Sequence, residues 1–362
     1  MALPTIDPAD YAAQLAAKLA QFKHDFAPLG LPEPAVHASA AQHYRMRAEF
    51  RIWHAGEQID YAMFDPEEPK RAVLIEYFPV ACEAICAAMP RLRAVLQDNA
   101  ALKTRLFQVN FLATLSGELM ITLIYHRKLD AAWEQAAREL AVQMQAQIVG
   151  RSLKQKIVLE RDWLLESFEM NGRTLRYKHI EGAFTQPNGG VNRQMLAWAC
   201  AQAGELGGDL LELYCGNGNF TVALAPQFGR VLATEVSKSS VNAAHYNLEA
   251  NGVDNVAMVR MSSDEISDAL ARTRAYRRMK DIDLDSYAFS TLFVDPPRSG
   301  LDAPTLALAA GFRNILYISC NPHTLLDNAR ALQATHEIRA SAVFDQFPYT
   351  HHLECGLLLS RR

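Results

Sequence analysis

The chain has 362 residues, of which 50% are hydrophobic and 21% charged, a balance typical of soluble globular proteins. This length predicts about two domains, and no apolar run approaches the roughly 20 residues of a membrane-spanning helix. The formal net charge of -4 excludes a molecule that binds nucleic acid with its whole surface, although local basic stripes remain compatible with phosphate binding.

The six cysteines give no metal-binding pattern. Cys82 and Cys86 lie one helical turn apart, which provides too few ligands for zinc, and the sequence lacks the four-cysteine spacing of an iron–sulfur cluster. We therefore expect no metal, no iron–sulfur cluster and reduced thiols in a cytoplasmic protein without a secretory signal.

The first half of the chain begins with a predicted helix over 8–27 and a proline-rich connection that ends at residue 37. A strand is expected over 43–54, because apolar and polar residues alternate there. Its predicted buried positions are Tyr44, Met46, Ala48, Phe50 and Ile52. The opposite face is basic, with Arg45, Arg47 and Arg51.

Further elements complete an α+β domain that we assign to residues 1–180. They are a strand over 71–78, a helix over 80–98, a hairpin over 106–126 that turns at Ser116 and Gly117, a helix over 130–147, and short strands over 148–180. The pattern predicts an antiparallel sheet with helices on one face. Aromatic and basic side chains on the open face suit unpaired RNA bases and phosphates, although ordinary sheet positions explain the same residues.

The second half predicts a doubly wound, mainly parallel sheet of Rossmann type in residues 181–362. Strands are expected over 209–214, 230–236, 255–261, 291–296 and 314–320, with helices over 219–225, 238–251, 262–272, 303–310 and 323–334. The last two strands follow each other without a helix between them. They predict an antiparallel hairpin at one edge of the sheet.

The first of these strands leads into a Gly-x-Gly turn at Gly216 and Gly218, and the second ends near Glu235. Glycines allow the backbone to approach a ligand closely, and an acid at this point can bind the ribose hydroxyls of an adenosine cofactor. The third glycine of the dinucleotide fingerprint and the lysine of a phosphate loop are missing. The pattern therefore favours S-adenosylmethionine over NAD or ATP, with Glu212 and Asn219 facing the ligand.

Two further strand ends carry chemistry. The fourth strand ends in Asp295-Pro296-Pro297-Arg298, a rigid shelf that suits a flat base. The fifth delivers Cys320 to a turn, and ligands bind at the carboxyl ends of such strands. Cys320 is thus a candidate nucleophile, with a packed core thiol as the alternative. Glu354 begins the last apolar strand, where the residues alone favour a surface position.

Four stretches, DLLELYCGNGNF, FVDPPRSGLD, YISCNPHTL and FDQFPYTHHLECG, together resemble the motifs of the RNA uracil-5-methyltransferase family. HYRMRAEFRIWH is similar to the tRNA branch of that family. The resemblance implies a class I methyltransferase domain that uses S-adenosylmethionine to methylate C5 of uridine 54 in the tRNA T-loop. It implies the equivalent loop of transfer-messenger RNA as a second substrate. It also implies that the protein binds no membrane and needs no obligatory protein partner.

The resemblance also implies roles for individual residues. Cys320 would add to C6 of uracil, and Glu354 would remove the C5 proton after methyl transfer. The implied cofactor-binding residues are Gln186, Tyr214, Asn219, Glu235 and Asp295. The implied RNA-binding residues are Arg51, Phe107, His126 and Arg298. We expect Arg298 and the helix after Cys320 to favour the thiolate. One position, His323, departs from the glutamate expected in close relatives.

Three alternatives remain open from the sequence. The chain could methylate uracil in ribosomal RNA, it could be a cytosine-5 or amino methyltransferase on the same fold, or it could be an RNA-binding or tRNA-folding protein that retains the fold. Amino methylation at an Asp-Pro-Pro shelf needs no cysteine, so the role of Cys320 separates that reaction from uracil chemistry.

Overall fold

A computed structural model describes residues 6–64, 68 and 71–362. Its α-helices, in chain order, are α1 Tyr11–Phe26, α2 Glu83–Asp98, α3 Ala100–Lys103, α4 Ala131–Met144, α5 Gly189–Ala203, α6 Asn219–Leu224, α7 Lys238–Ala250, α8 Ser263–Leu270, α9 Ala303–Ala309 and α10 Pro322–Leu332. Its strands are β1 Ala35–His37, β2 Arg47–Ala55, β3 Gln58–Phe64, β4 Ala72–Leu74, β5 Leu106–Ala113, β6 Leu119–Tyr125, β7 Gln147–Ser152, β8 Gln155–Val158, β9 Trp163–Met170, β10 Arg173–Ile180, β11 Asp209–Leu213, β12 Val231–Thr234, β13 Val256–Val259, β14 Phe289–Val294, β15 Asn314–Ser319, β16 His336–Phe344 and β17 Glu354–Arg361.

The described residues divide into two compact units. The first contains the described part of 1–9 together with 40–168 and 179–190, and the second contains 10–39, 169–178 and 191–362. Strands β9 and β10 form a small sheet of their own. The expected functional division at residue 180 stays a prediction, because compactness does not test which segment binds RNA.

The first unit is built on a seven-stranded sheet in the order β4-β3-β2-β5-β6-β7-β8. All neighbouring strands are antiparallel except β6 and β7, which are parallel and are joined through α4, as a parallel connection requires. Helices α2 and α4 contribute Leu92 and Trp133 to the core beneath the sheet.

The alternation predicted along 43–54 is confirmed, since Tyr44, Met46, Ala48, Phe50 and Ile52 are all buried. The hairpin turn at Ser116 and Gly117 is also confirmed, between β5 and β6. The strand expected over 71–78 is shorter than predicted, because only Ala72–Leu74 pairs with β3.

The second unit contains an eight-stranded sheet in the order β1-β16-β17-β15-β14-β11-β12-β13. The strands from β15 to β13 are mutually parallel, which confirms the doubly wound arrangement, and β17 runs antiparallel to β15 and β16. The expected position of the hairpin at the sheet edge is wrong. Ala35–His37 lies beyond β16 and pairs with it in parallel. Three residues within a proline-rich connection show no periodicity, so no local pattern indicated this edge strand.

Two general expectations concern the whole chain. All six cysteines, every one of which lies in the described ranges, are free thiols. No helix within residues 6–64 and 71–362 is both long and apolar enough to cross a membrane.

Packing of α4 against the sheet depends on a glycine in β7. A Cβ at Gly150 would overlap the ring of Trp133 and lie 2.7 Å from Cδ1 of Leu129. We expect Gly150→Ala to lower the free energy of unfolding by about 1–3 kcal/mol, because a packed core resists added volume. Urea titration measures this change.

The matched control is Gly190→Ala in α5, where the nearest atom to an added Cβ lies 3.6 Å away. Alanine favours a helix over glycine, so this variant should be unchanged or up to about 1 kcal/mol more stable. Equal stabilities of the two variants would contradict the packing described for β7.

Candidate active site

The site forms where three strands of the second unit meet. β15 ends at Ser319, β14 ends at Val294, and β17 begins at Glu354. In the antiparallel pairing of β15 with β17, Ile318 lies opposite Gly356 and Ser319 opposite Cys355. The pairing ends there, and Cys320 and Glu354 are the adjoining residues of the two chain segments at the same edge of the sheet.

The turns that follow β14 and β15 are bonded to each other. Asn321 caps α10 by accepting a hydrogen bond from the His323 amide at 3.1 Å, and its Nδ2 donates to the Arg298 carbonyl at 3.0 Å. The Thr324 hydroxyl donates to the same carbonyl at 3.3 Å. These hydrogen bonds hold the Asp-Pro-Pro-Arg shelf beside the start of α10, next to the residue that carries the thiol.

Gly300 permits this close approach. Its φ of +74° lies in the left-handed region, and a Cβ there would come 2.8 Å from Oδ1 of Asn328 and 3.0 Å from Cβ of Thr324. Only glycine satisfies both conditions at low energy.

Burial dominates the electrostatics of this cluster. Desolvation raises the pKa of Glu354 well above its ordinary range; Asp295 raises it further, and Arg298 opposes the rise. Desolvation also raises the pKa of Asp295 to about 7. The pKa of Cys320 rises to about 11, first through burial and then through the nearby Glu354 and Asp295, while Arg298 acts in the opposite direction.

Two expectations are tested here. The surface position favoured for Glu354 from the residues alone is wrong, since Glu354 is buried. The expected direction of the Arg298 effect is confirmed, because Arg298 lowers the pKa of the Cys320 thiol. Arg298 is exposed, however, and burial beside two carboxyl groups outweighs its effect.

A cavity of about 530 Å³ opens onto Cys320, a volume within the range of small-molecule sites. Its wall is formed by α1, by the start of α10 and by the segment before β17. The lining residues that carry polar groups near the thiol include Arg298, Asn321, His323 and His352. Arg298 and His352 approach to 3.4 Å through a guanidinium nitrogen and Nε2.

A second group of residues surrounds the Gly-x-Gly turn after β11. Tyr214, Gly216 and Gly218 all adopt positive φ angles, of 59°, 56° and 80°. Both carboxylate oxygens of Glu235 accept backbone hydrogen bonds, from Gly216 N at 3.1 Å and Ser237 N at 2.7 Å. Glu235 is thereby fixed at the end of β12 beside the turn.

The side chain of Asn219 is held at the start of α6. Its side-chain amide exchanges two hydrogen bonds with the side-chain amide of Asn192, at 2.9 and 3.1 Å, and the backbone carbonyl of Asn219 accepts one from the Tyr177 hydroxyl at 3.0 Å. The structure therefore adds Asn192 to the group, which the sequence did not indicate. A lone asparagine near the start of a helix carries no signal of such a pairing.

The turn fits an adenosine cofactor on two observations. A Cβ at Gly216 would meet no atom within 4 Å, so the turn borders open space. Both oxygens of the fully buried Glu212 lack a hydrogen-bond partner within the described part of the chain. A buried carboxyl without partners suits a ligand that can hydrogen-bond to it.

The predicted RNA-binding residues of the first unit form a stack. The Arg51 guanidinium lies 3.9 Å from the centre of the Phe107 ring. The rings of Phe107 and His126 lie 3.9 Å apart at 26°. Arg51 from β2 and His126 after the end of β6 thus both pack on the Phe107 ring of β5, and His126 is exposed.

The remaining predicted residues are placed as follows. Arg298 belongs to the second unit and lines the cavity. Gln186 lies in the first unit and is half-buried in the connection between β10 and α5. Tyr214 and Asp295 are half-buried at adjacent strand ends in the second unit.

The doubly wound sheet, with a Gly-x-Gly turn after one strand and a thiol after another, is an α/β fold that matches a solved methyltransferase. A solved structure of tRNA (uracil-54, C5)-methyltransferase from Pyrococcus abyssi, in complex with S-adenosyl-L-homocysteine, shares this fold. Its TM-score is 0.72 at 21% identity, with 96% of this chain and 83% of that chain covered.

The chain belongs to the tRNA (Uracil-5-)-methyltransferase family, which it matches over residues 10–362. The tRNA/tmRNA (uracil-C(5))-methyltransferase of Aromatoleum aromaticum is 73% identical over 362 residues, covering 100% of this chain and 98% of the relative. That of Dechloromonas aromatica is 67% identical over 362 residues and covers 100% of both.

The buried carboxyl of Glu212 makes the stability of the folded protein depend on pH. Burial raises its pKa from 4.5 to about 8. Below about pH 4.5 the carboxyl is neutral in both the folded and the unfolded chain. Between about pH 4.5 and 8 only the unfolded chain loses the proton, so the wild-type protein loses stability as pH rises.

We expect Glu212→Gln to match the wild type near pH 4.5 and to become more stable by about 1–4 kcal/mol at pH 8.5, because glutamine stays neutral. Urea unfolding without added cofactor, repeated across this pH range, measures the difference. Glu249→Gln, at an exposed position of α7, should show no such trend. A difference that stays constant with pH would exclude a buried neutral Glu212.

Proposed function

We propose that this protein transfers a methyl group from S-adenosylmethionine to C5 of a uridine in the T-loop of tRNA, position 54, and in the equivalent loop of transfer-messenger RNA. The observation that carries the proposal is that Cys320, which follows the last residue of β15, and Glu354, the first residue of β17, come together at one edge of the sheet, where Glu354 raises the pKa of the thiol. One group can add to a uracil ring while the other receives a proton from the same ring.

The chemistry requires both groups because C5 of uracil is a weak nucleophile. The Cys320 thiol gives its proton to solvent, its sulfur forms a bond to C6, and the electron pair of the C5–C6 double bond moves toward C5. When bound, S-adenosylmethionine supplies an electrophilic methyl group on its sulfonium. Glu354 then takes the proton from C5, the C5–C6 double bond forms again, and the S–C6 bond breaks to release Cys320.

The raised pKa values fit this order of events. Glu354 takes a carbon-bound proton only as a carboxylate, so it must first give up its own proton to solvent, and burial then makes that carboxylate more basic. Cys320 is protonated at neutral pH in the protein alone. Its deprotonation therefore belongs to the reaction with bound RNA.

The cofactor would be held by Gln186, Tyr214, Asn219, Glu235 and Asp295. Glu235 suits ribose hydroxyls because each of its oxygens has already accepted one backbone hydrogen bond and retains a free lone pair. Asp295 would lie between the cofactor and the uracil, since it follows the strand next to that of Cys320.

RNA would bind through the stack of Arg51, Phe107 and His126 and through Arg298. Planar rings capped by a guanidinium offer stacking and phosphate contacts to unpaired nucleotides. We propose that residues 1–180 bind RNA and residues 181–362 carry catalysis, in a cytoplasmic protein whose partner is tRNA and which needs no other protein.

A 5-fluorouridine substrate tests the chemistry. Fluorine at C5 cannot leave as a proton, so the reaction stops at a covalent adduct between the protein and RNA. We expect a T-arm hairpin with 5-fluorouridine at the target position to give a shifted band on a denaturing gel when S-adenosylmethionine is added. Cys320→Ala should abolish the band and lower turnover on normal RNA by at least about 10³-fold, because nucleophilic addition is lost.

Cys86→Ala, at another half-buried thiol, is the matched control and should keep the adduct. Turnover on RNA by Cys320→Ala would favour amino methylation. Turnover on ribosomal RNA alone would favour the ribosomal alternative, and binding without any turnover would favour an RNA-binding protein.

Substitutions in the stack of Arg51, Phe107 and His126 test the RNA-binding role separately. Phe107→Ala removes the central ring, and we expect the Kd for a T-arm hairpin to rise about 5- to 150-fold, since one stacked base contributes about 1–3 kcal/mol. Phe107→Tyr keeps the ring and should bind within about twofold of the wild type. Fluorescence anisotropy at fixed salt measures both, and equal affinities of wild type and Phe107→Ala would refute the assignment.

A further inference from the structure

One buried ammonium group fastens the segment that precedes Glu354. Nζ of Lys18, in α1, donates to Oδ1 of Asp345 at 2.7 Å, to the Phe347 carbonyl at 2.9 Å and to the His352 carbonyl at 3.0 Å. The side chains of Lys18 and Asp345 are 8% and 0% exposed. All three donors of the ammonium are used within this one segment.

The fastened segment, residues 345–353, contains neither helix nor strand and connects β16 to β17. Gln14 lies one turn before Lys18 on α1, and its side-chain oxygen accepts a hydrogen bond from the Tyr349 amide. Tyr349 has a φ of 62°, in the left-handed region that an aromatic residue adopts only when its surroundings hold it there. Two side chains of α1 thus fix a strained segment at several points.

We propose that Lys18 is a positioning residue for Glu354. Glu354 is the first residue of β17 and follows His352 by two positions, so the path of the segment sets where its carboxyl lies relative to Cys320. This inference rests on the proposed function. A buried ion pair adds little stability compared with apolar side chains, whereas three directed hydrogen bonds to one segment define the course of its backbone.

The reaction step that depends on this contact is the last one. Addition of Cys320 to C6 and methylation at C5 do not need Glu354. Removal of the C5 proton, with return of its electron pair to C5–C6 and cleavage of S–C6, does. A displaced Glu354 therefore slows release of a complex that has already been methylated and is still covalently attached.

The test uses the full-length protein and an unmodified T-arm hairpin. Lys18→Met removes the three donors, and the double variant Lys18→Met/Asp345→Asn does so without leaving a buried carboxylate unpaired. We expect both to lower kcat about 10- to 100-fold, because misplacement by about 1 Å has effects of this size, while KM changes less than about threefold. On a denaturing gel, the variants should accumulate an adduct with ordinary uridine.

Lys23→Met is the matched control, because Lys23 lies on the same helix in an exposed ion pair with Glu33. It should retain wild-type kcat and give no adduct. Gln14→Ala removes only the contact with Tyr349, and we expect it to accumulate less of the same adduct than the Lys18 variants. This variant still tests the proposal if the Lys18 variants fold poorly.

The proposal is overturned if kcat of the double variant and of Gln14→Ala stays within twofold of the wild type. It is equally overturned if turnover falls without accumulation of the adduct, which would indicate a general loss of structure. The 5-fluorouridine adduct of the wild-type protein is formed independently of Lys18, so its absence would count against the proposed function alone.

Discussion

The site depends on one antiparallel strand inserted into a parallel sheet. Parallel strands alone would bring only their carboxyl ends to the ligand edge, so every group there would follow a strand. Because β17 runs in the opposite direction beside β15, its first residue, Glu354, arrives at the edge where β15 delivers Cys320. The proposed nucleophile and the proposed base thus reach one edge of the sheet from opposite chain directions.

This geometry has an electrostatic consequence. Two carboxyl groups and a thiol lie close together in a poorly solvated place, and the pKa of each is raised by burial. The site accordingly favours neutral groups in the protein alone, and Arg298 counteracts only part of the effect. Such an arrangement suits the proposed reaction, in which negative charge passes from sulfur to the ring and returns to sulfur when a carboxylate takes the C5 proton.

Much of this could be predicted from local patterns. The alternation around Phe50 identified the half-buried strand β2, and the apolar runs that end at Leu213 and Ser319 identified strands of the doubly wound sheet. Burial of Glu354 could not be predicted, since a carboxylate at a strand start looks the same on the surface as inside. Strand β1 was missed because its pairing depends on β16, some 300 residues later in the chain.

The N-terminal segment shows why such long-range contacts matter for function. α1 belongs to the same compact unit as the thiol, although almost the whole first unit separates them in sequence. The buried ammonium of Lys18 donates hydrogen bonds to a carboxylate and two carbonyls, and these groups come near Lys18 only when the chain is folded. A lysine on an amphipathic helix ordinarily points to solvent, so nothing local marks Lys18 as different from Lys23. Lys18 differs from Lys23 because it contacts the irregular segment before Glu354. That segment has no strand pairing that would hold it in place.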